Sequence, residues 1–264
     1  MKPDYGHCML MDIKTAQDST HDNAGQPPPN PIAAASLLRL LMLSSTALPI
    51  GAYCYSQGVE TAIERGIIRH EASALAYFED VLELVLARYE LPMLAKMIAA
   101  SVDRVSSETA EQAEFLALAE RYRASRESRE LLAETQQLGF SLSAWIRDVL
   151  KQPVTVDAKL GFLPVYAQLA ARLQLPVVDC LTAYAFALLE NQVLAVVKTV
   201  PLGQMSGQRV LWALHAQIPA AVQNAVQISQ DSASPMARQP SNSLPNLAML
   251  SMQHESQYSR LFRS

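Results

Sequence analysis

"VVDCLTAYAFALLENQVLAVVKTV" spans Val177–Val200, and its reading decides the fold. Apolar residues lie nearly all the way round a helix here, which predicts a central, buried helix. Asp179, Glu190, Asn191 and Lys198 interrupt the run, and a membrane span tolerates such groups poorly. Tyr184, Asn191 and Lys198 are seven apart and share one line of this helix. Two readings of that line stand open. Either Tyr184 and Asn191 are satisfied core polars with Lys198 exposed at the helix end, where a cation suits the dipole, or the line faces a partner.

Helical patterning continues outward over Leu163–Leu173 and Gln208–Ile228. From Glu71 to Tyr89, Leu75, Phe78, Leu82, Val85, Leu86 and Tyr89 recur at helical spacing. Pro92 then suits the first turn of a separate helix over Glu90–Val105. Glu108–Leu138, charged outside and apolar inside, predicts two helices, and Phe140–Leu150 with Trp145 predicts another. Ser36–Ser45 predicts a short apolar helix with Leu37, Leu38, Leu41 and Ser45 on one side. "VETAIERG" predicts a helix ended by Gly66 as a C-cap glycine. No alternating strand of convincing length and no hairpin signal is present. The expectation is an all-α protein: one helical-bundle domain of about eight to ten helices over residues 32–230, with flexible N- and C-terminal segments.

Residues 1–31 read as a disordered arm ending in the spacer "QPPPNP". Residues 231–264 read as a linker followed by a tail. Pro235, Pro240 and Pro245 among Ser, Asn and Gln make the first part an exposed connector. The tail closes on "HESQYSRLFRS" (His254–Ser264), whose Tyr258, Leu261 and Phe262 a solvated tail has no need to display. Leu247, Leu250, His254, Tyr258 and Leu261 recur at spacings of three or four, which predicts an amphipathic helix.

A net charge of −4 without a cluster of Lys and Arg argues against nucleic acid as a partner. Cys8, Cys54 and Cys180 lie far apart and form no CxxC pair, which points to a reducing compartment. The first twenty residues lack the apolar core and cleavage site of a signal peptide, so the expected location is cytoplasmic, away from membranes. There is no GxxxxGK[ST] loop, no GxSxG elbow and no HxxxH or HExxH spacing. Glu60 with Glu64 and Glu127 with Glu130 read as solvated helix faces rather than acid/base dyads. No catalytic constellation emerges.

Four ordered stretches carry a family resemblance. "LLRLLMLSSTALPIGAYCYSQGVETAIERG" (Leu37–Gly66) resembles the opening of the UreF family of urease accessory proteins. "SRELLAETQQLGFSL" resembles its middle segment, "VKTVPLGQMSGQRVL" its PLGQ-containing signature, and "MQHESQYSRLFRS" its C-terminal ending. The resemblance implies a helical, dimeric, non-enzymatic scaffold. Such a scaffold joins a UreD/UreH-type accessory protein and a UreG-type GTPase, engages apo-urease and couples nucleotide state to nickel delivery. It implies no stably bound cofactor: nickel and GTP are handled by partners. A nickel-binding metallochaperone in its own right is the alternative.

By the same resemblance, His254, Tyr258, Arg260, Leu261 and Phe262 are expected to meet the UreD/UreH-type protein, unless the tail packs on its own domain or alternates between the two. Ser56, Gln57 and Glu60 are expected to meet that protein or line a polar path, with Tyr53 and Tyr55 as packing residues. Lys198, Gln204 and Gln208, on the opposite side, are implied in the GTPase partnership; a tight turn whose glutamines cap backbone groups is the competing reading. Cys54, Thr182 and Phe186 depart from the family pattern, so no metal role for that thiol and no contact dependent on the Thr182 and Phe186 positions is carried over.

Overall fold

The computed structural model describes residues 34–102, 110–200, 202–231, 240 and 244–264. The arm over residues 1–31 and most of the expected linker lie outside the described residues. All regular structure among the described residues is helical.

Helices α1 (Ala34–Ser44) and α2 (Val59–Glu64) flank an irregular loop. Gly66 ends α2 as predicted. At φ +70° it donates its N–H to Ile63 O at 2.9 Å, while Ile67 N–H reaches Ala62 O at 2.8 Å. These paired bonds satisfy carbonyls that the helix end leaves open. Helix α3 (Glu71–Asp80) starts at His70, whose Nδ1 accepts from Ser73 N–H while Ser73 Oγ accepts from His70 N–H.

The expected break near Pro92 does not occur. Helix α3 continues through a wide-turned stretch, Val81–Glu90, into α4 (Leu91–Val102). Proline has no N–H and its ring crowds the carbonyl four residues back. Wider turns relieve that crowding: Leu91 N–H bonds Leu86 O, five residues back, and the chain stays helical.

Helices α5 (Ala110–Ala124) and α6 (Arg129–Asp148) are the pair expected of the charged segment. Ser128 caps α6 by accepting from Leu131 N–H at 3.0 Å. The separate helix expected at Phe140–Leu150 is instead the second half of α6. Its buried line of Leu131, Leu138, Leu142 and Trp145 runs through without a break. Helices α7 (Phe162–Arg172), α8 (Val177–Thr199), α9 (Gln204–His215), α10 (Ile218–Gln230) and α11 (Pro245–His254) complete the set.

The innermost pair is α4 and α7, packed on each other, with α5 and α10 against α4 and α6 against α7. Leu91, Met93, Leu94 and Met97 of α4 and Leu163 and Val165 of α7 have no exposure and belong to one core. Each such Leu or Met side chain contributes about 1.5–3 kcal/mol by leaving water. Helix α8 was expected to be deepest, and it is not. It is flanked by α1, α2, α9 and α10, yet Val178 and Phe186 open to solvent. By length and composition α8 is apolar enough to cross a membrane; here it serves as a packed helix of the bundle. An all-round apolar helix buries whichever faces its neighbours cover. The same holds for α1, which turns Leu40 and Leu43 inward and leaves Leu37, Leu38 and Leu41 outside, the reverse of the expected face.

Only the first half of the expected tail helix forms. Helix α11 ends at His254, where Ser256 and Gln257 donate to Gln253 O and His254 O. Within the connector, buried Pro240 accepts through its carbonyl from Arg121 Nη2 at 2.9 Å.

Candidate functional site

The loop before α2 and the tail after α11 meet on one seat. Asn191 of α8 pins that loop by donating Nδ2–H to Ala52 O at 3.0 Å and Tyr55 O at 3.3 Å. Gly58 then starts α2 at φ +83°. A Cβ there would stand 3.2 Å from Leu250 Cβ and 3.3 Å from Ser251 N, so only glycine lets α11 lie flush on α2. Ser128 Oγ and Ser251 Oγ, both buried, share a hydrogen bond at 2.6 Å between α6 and α11.

Three glutamates receive the tail. Glu60 of α2 accepts the consecutive main-chain N–H groups of Leu261 at 2.6 Å and Phe262 at 2.9 Å. Its Oε2 also lies 3.2 Å from His254 Nε2. Glu130 of α6 meets His254 Nδ1 at 2.6 Å and accepts from Arg260 Nη1 at 2.7 Å. Glu134, one turn on, accepts from Ser264 Oγ at 2.7 Å. The main-chain oxygen of Ser264 accepts from Ser56 N–H at 2.8 Å and Ser56 Oγ at 2.5 Å, while Arg263 N–H bonds Cys54 O at 2.9 Å. Main-chain N–H bonds to a carboxylate, as at Glu60, are about twice as strong as neutral ones.

Behind the tail the polar network continues inward. Gln57 donates to Glu134 Oε1 at 2.7 Å and accepts from Gln192 Nε2 at 2.6 Å. Burial pushes the Glu134 carboxyl up to about 7, against the opposing pull of Ser264, Gln57 and the Arg126 charge. Deeper still, Glu90 accepts from Arg126 Nη1 at 2.8 Å and from Tyr184 OH at 2.7 Å. Burial above all, and then the Glu90 charge, raise the Tyr184 phenol well above its ordinary range. A cavity of about 120 Å³ lies among Gln57, Glu90, Arg126, Glu134 and Tyr184, with room for several water molecules. Arg126 Nε and Tyr166 OH, both on its lining, have no hydrogen-bond partner among the described residues. Cys180, buried in α8, has its thiol pushed up to about 12, chiefly by burial, which leaves it inert.

The structure thus separates the expected tail residues into two groups. His254 and Phe262 are buried in the chain's own fold, and Arg260 is bonded to Glu130. Tyr258 is fully exposed and Leu261 is 64 % exposed. Ser56 and Glu60 are buried under the tail, and Gln57 faces Glu134 and Gln192. Glu60 and Glu130 turn inward from the helix faces read as solvated, whereas Glu64 and Glu127 do face water. A signal for Glu134 existed: it falls on the buried line between Leu131 and Leu138 of α6.

Lys198 is exposed at the end of α8, with its Nζ 5.9 Å from the Tyr53 ring centre. Tyr55 packs inside as expected, but Tyr53 is exposed. Lys198 is therefore not remote from the tail, since Tyr53 beneath it and Cys54, which holds Arg263, are consecutive residues. Tyr184 and Asn191 are hydrogen-bonded within the domain. Gln204 and Gln208 are exposed near the start of α9, and Pro201 lies outside the described residues. The exposed face of α9 adds two residues the sequence reading missed, Met205 at 70 % and Trp212 at 74 % exposure. Their spacing of one helical heptad beside Gln208 was the available signal.

A family model named UreF matches residues 68–215. The chain belongs to the UreF family. It is 44% identical over 237 residues to the urease accessory protein UreF of Azoarcus sp. (strain BH72), covering 86% of this chain and 95% of that one. The UreF of Dechloromonas aromatica (strain RCB) is 43% identical, with 86% and 97% covered. That of Ralstonia pickettii (strain 12J) is 42% identical, with 88% and 99% covered. Membership carries a role in urease maturation, as an accessory protein by name. Among the described residues no group of three or more His, Cys, Asp or Glu side chains is placed to hold a metal ion. His254 and its carboxylates bond each other and the tail instead.

Proposed function

We propose that this UreF-family chain is the scaffold that joins a UreD/UreH-type protein to a UreG-type GTPase while nickel enters apo-urease. It works in the cytoplasm as a homodimer, and nickel and GTP are handled by its partners. The outer, apolar face of α1, with Leu38 and Leu41, supports pairing with a second copy.

One observation carries the reading: the loop through Tyr53 and Cys54 touches both expected contact sets at once. On one flank it holds the tail, whose clasped main chain leaves Tyr258 and Leu261 in solvent as apolar anchors for the UreD/UreH-type protein. On the other it underlies Lys198, beside the exposed Gln204, Gln208, Met205 and Trp212 offered to the GTPase. A partner that shifts the tail moves a loop in contact with Lys198, which is a physical route for coupling one docking event to the other. The test is light scattering behind a sizing column, on the chain with its UreD/UreH-type protein. Wild type forms a defined larger complex, and Tyr258→Ser with Leu261→Ser loses it without losing helix content. A complex unchanged by the double substitution refutes docking through the tail.

A further inference from the structure

The cavity beside Glu90 and Arg126 is walled largely by carbon. Leu48, Ile50, Leu138 and Leu188 line it, together with the rings of Phe162, Tyr166 and Tyr184. Those three rings form one cluster, with centres 5.7 Å apart for Phe162 and Tyr166, 5.8 Å for Tyr166 and Tyr184, and 6.4 Å for Phe162 and Tyr184. Such separations suit edge-to-face and offset ring contacts. Its volume of about 120 Å³ approaches the roughly 150 Å³ of an apolar protein cavity that takes up benzene. Ser45, Thr46 and Tyr53, exposed residues of the loop between α1 and α2, also line it and give it a mouth.

The lining disfavours any further charge. Arg126 and Glu90 already offset each other at 2.8 Å. Burial is the largest cause that raises the Tyr122, Tyr166 and Tyr184 phenols above their ordinary range and holds the Glu134 carboxyl up, and each shift favours the neutral form. Hydrogen-bonding capacity nevertheless remains. The Arg126 side chain is only 9 % exposed; its Nη1 donates to Glu90 and its Nη2 to Ser125 Oγ, while Nε has no acceptor among the described residues. A buried donor left without an acceptor is costly, so an oxygen brought to it is favoured. A carboxylate oxygen is the wrong kind, because Glu90 and Glu134 stand beside the same guanidinium and repel it.

We propose that this cavity binds one small uncharged aromatic molecule, its ring against Phe162, Tyr166 and Tyr184 and a polar oxygen accepting from Arg126 Nε–H. Entry is through the mouth at Ser45, Thr46 and Tyr53. Loop residues Leu48 and Ile50 and the α8 residues Tyr184 and Leu188 share the lining, so a bound ring joins that loop to α8. Such binding goes beyond scaffolding, because it is a property of the chain alone. Its failure leaves partner docking standing, and a failure of docking leaves it standing.

The probe is phenol, titrated into the full chain at neutral pH and followed by NMR. Saturable shifts are expected at the Phe162, Tyr166 and Tyr184 rings, with a dissociation constant of about 1 mM or below. The Arg126 Nε–H resonance is expected to shift with the same midpoint. Benzoate and benzylammonium carry the same ring with a charge and are expected to bind at least about tenfold more weakly. Ala187→Leu lengthens a half-buried side chain on the lining and is expected to keep helix content but lose saturable phenol binding. Absence of saturable shifts, which leaves the cavity to water alone, overturns the proposal. So does equal binding of either charged ring, an Arg126 Nε–H resonance that stays still, or phenol binding unchanged in folded Ala187→Leu. Should Ala187→Leu fail to fold, the wild-type titrations decide.

Discussion

Glu60→Gln isolates what a single carboxylate does for the tail. In wild type both oxygens accept, one from Leu261 N–H and the other from Phe262 N–H and beside His254 Nε2. Glutamine keeps one acceptor and turns an NH₂ toward donors, so one main-chain bond is lost outright and the other loses its charge. Hydrogen bonds to charged groups contribute about 1.5–3 kcal/mol each, and neutral ones about 0.5–1.5 kcal/mol. The seat is therefore expected to weaken by about 2–4 kcal/mol, with the tail free to lift rather than leave donors buried and unpaired. Hydrogen exchange reads this directly: protection at Leu261 and Phe262 should drop roughly 30- to 900-fold. Amides of α4 and α7, packed away from this seat, should keep their protection. Glu64→Gln, on the exposed side of the same helix, should change neither within about 0.5 kcal/mol. Unchanged protection at Leu261 and Phe262 in a folded Glu60→Gln chain would refute the clasp, as would loss of protection throughout the fold.

Lys198→Ala should leave thermal stability nearly unchanged, since an exposed cation over Tyr53 contributes only about 0.5–1 kcal/mol, while reducing GTPase recruitment in a pull-down and urease activation in cells. The Glu134 carboxyl, raised by burial from 4.5 to about 7, binds its proton more tightly in the folded chain than in the unfolded one. Its contribution is fully present below pH 4.5 and is lost as pH rises through 7, a swing on the order of 3 kcal/mol. Denaturant titrations across that range should show wild type losing stability with rising pH relative to Glu134→Gln. Gly58→Ala places a Cβ 3.2 Å from Leu250 Cβ at a left-handed φ of +83° and should cost about 1–3 kcal/mol, read as a lower unfolding midpoint and faster exchange in α11.

Helicity was legible in the sequence because it depends on neighbours three and four residues away. The periodic lines through Glu71–Tyr89 and the described part of Glu108–Leu138, and Gly66 at the end of α2, are local signals and the structure follows them. Two local signals misled. Pro92 announces a helix start, yet wide turns absorb it; Tyr258 and Leu261 extend the tail's helical spacing, yet the main-chain donors there are taken by Glu60. The orientation of α1 and the depth of α8 were not legible, because apolar residues all round a helix name no inward face.

The seat itself rests on contacts that periodicity does not encode. Glu60 and Glu64 look equivalent one turn apart, but only Glu60 meets residues about two hundred positions later in the chain. The sequence by itself determined the helical class, the family and the order of the elements, since these follow from local patterning and motif order. Tertiary structure alone decided which carboxylates leave water, which tail residues stay outside, and that Lys198 and the tail share one loop. A charged side chain on a helix has the same local sequence whether it faces solvent or a distant segment of its own chain, so only the docking of α11 on α2 and α6 tells them apart.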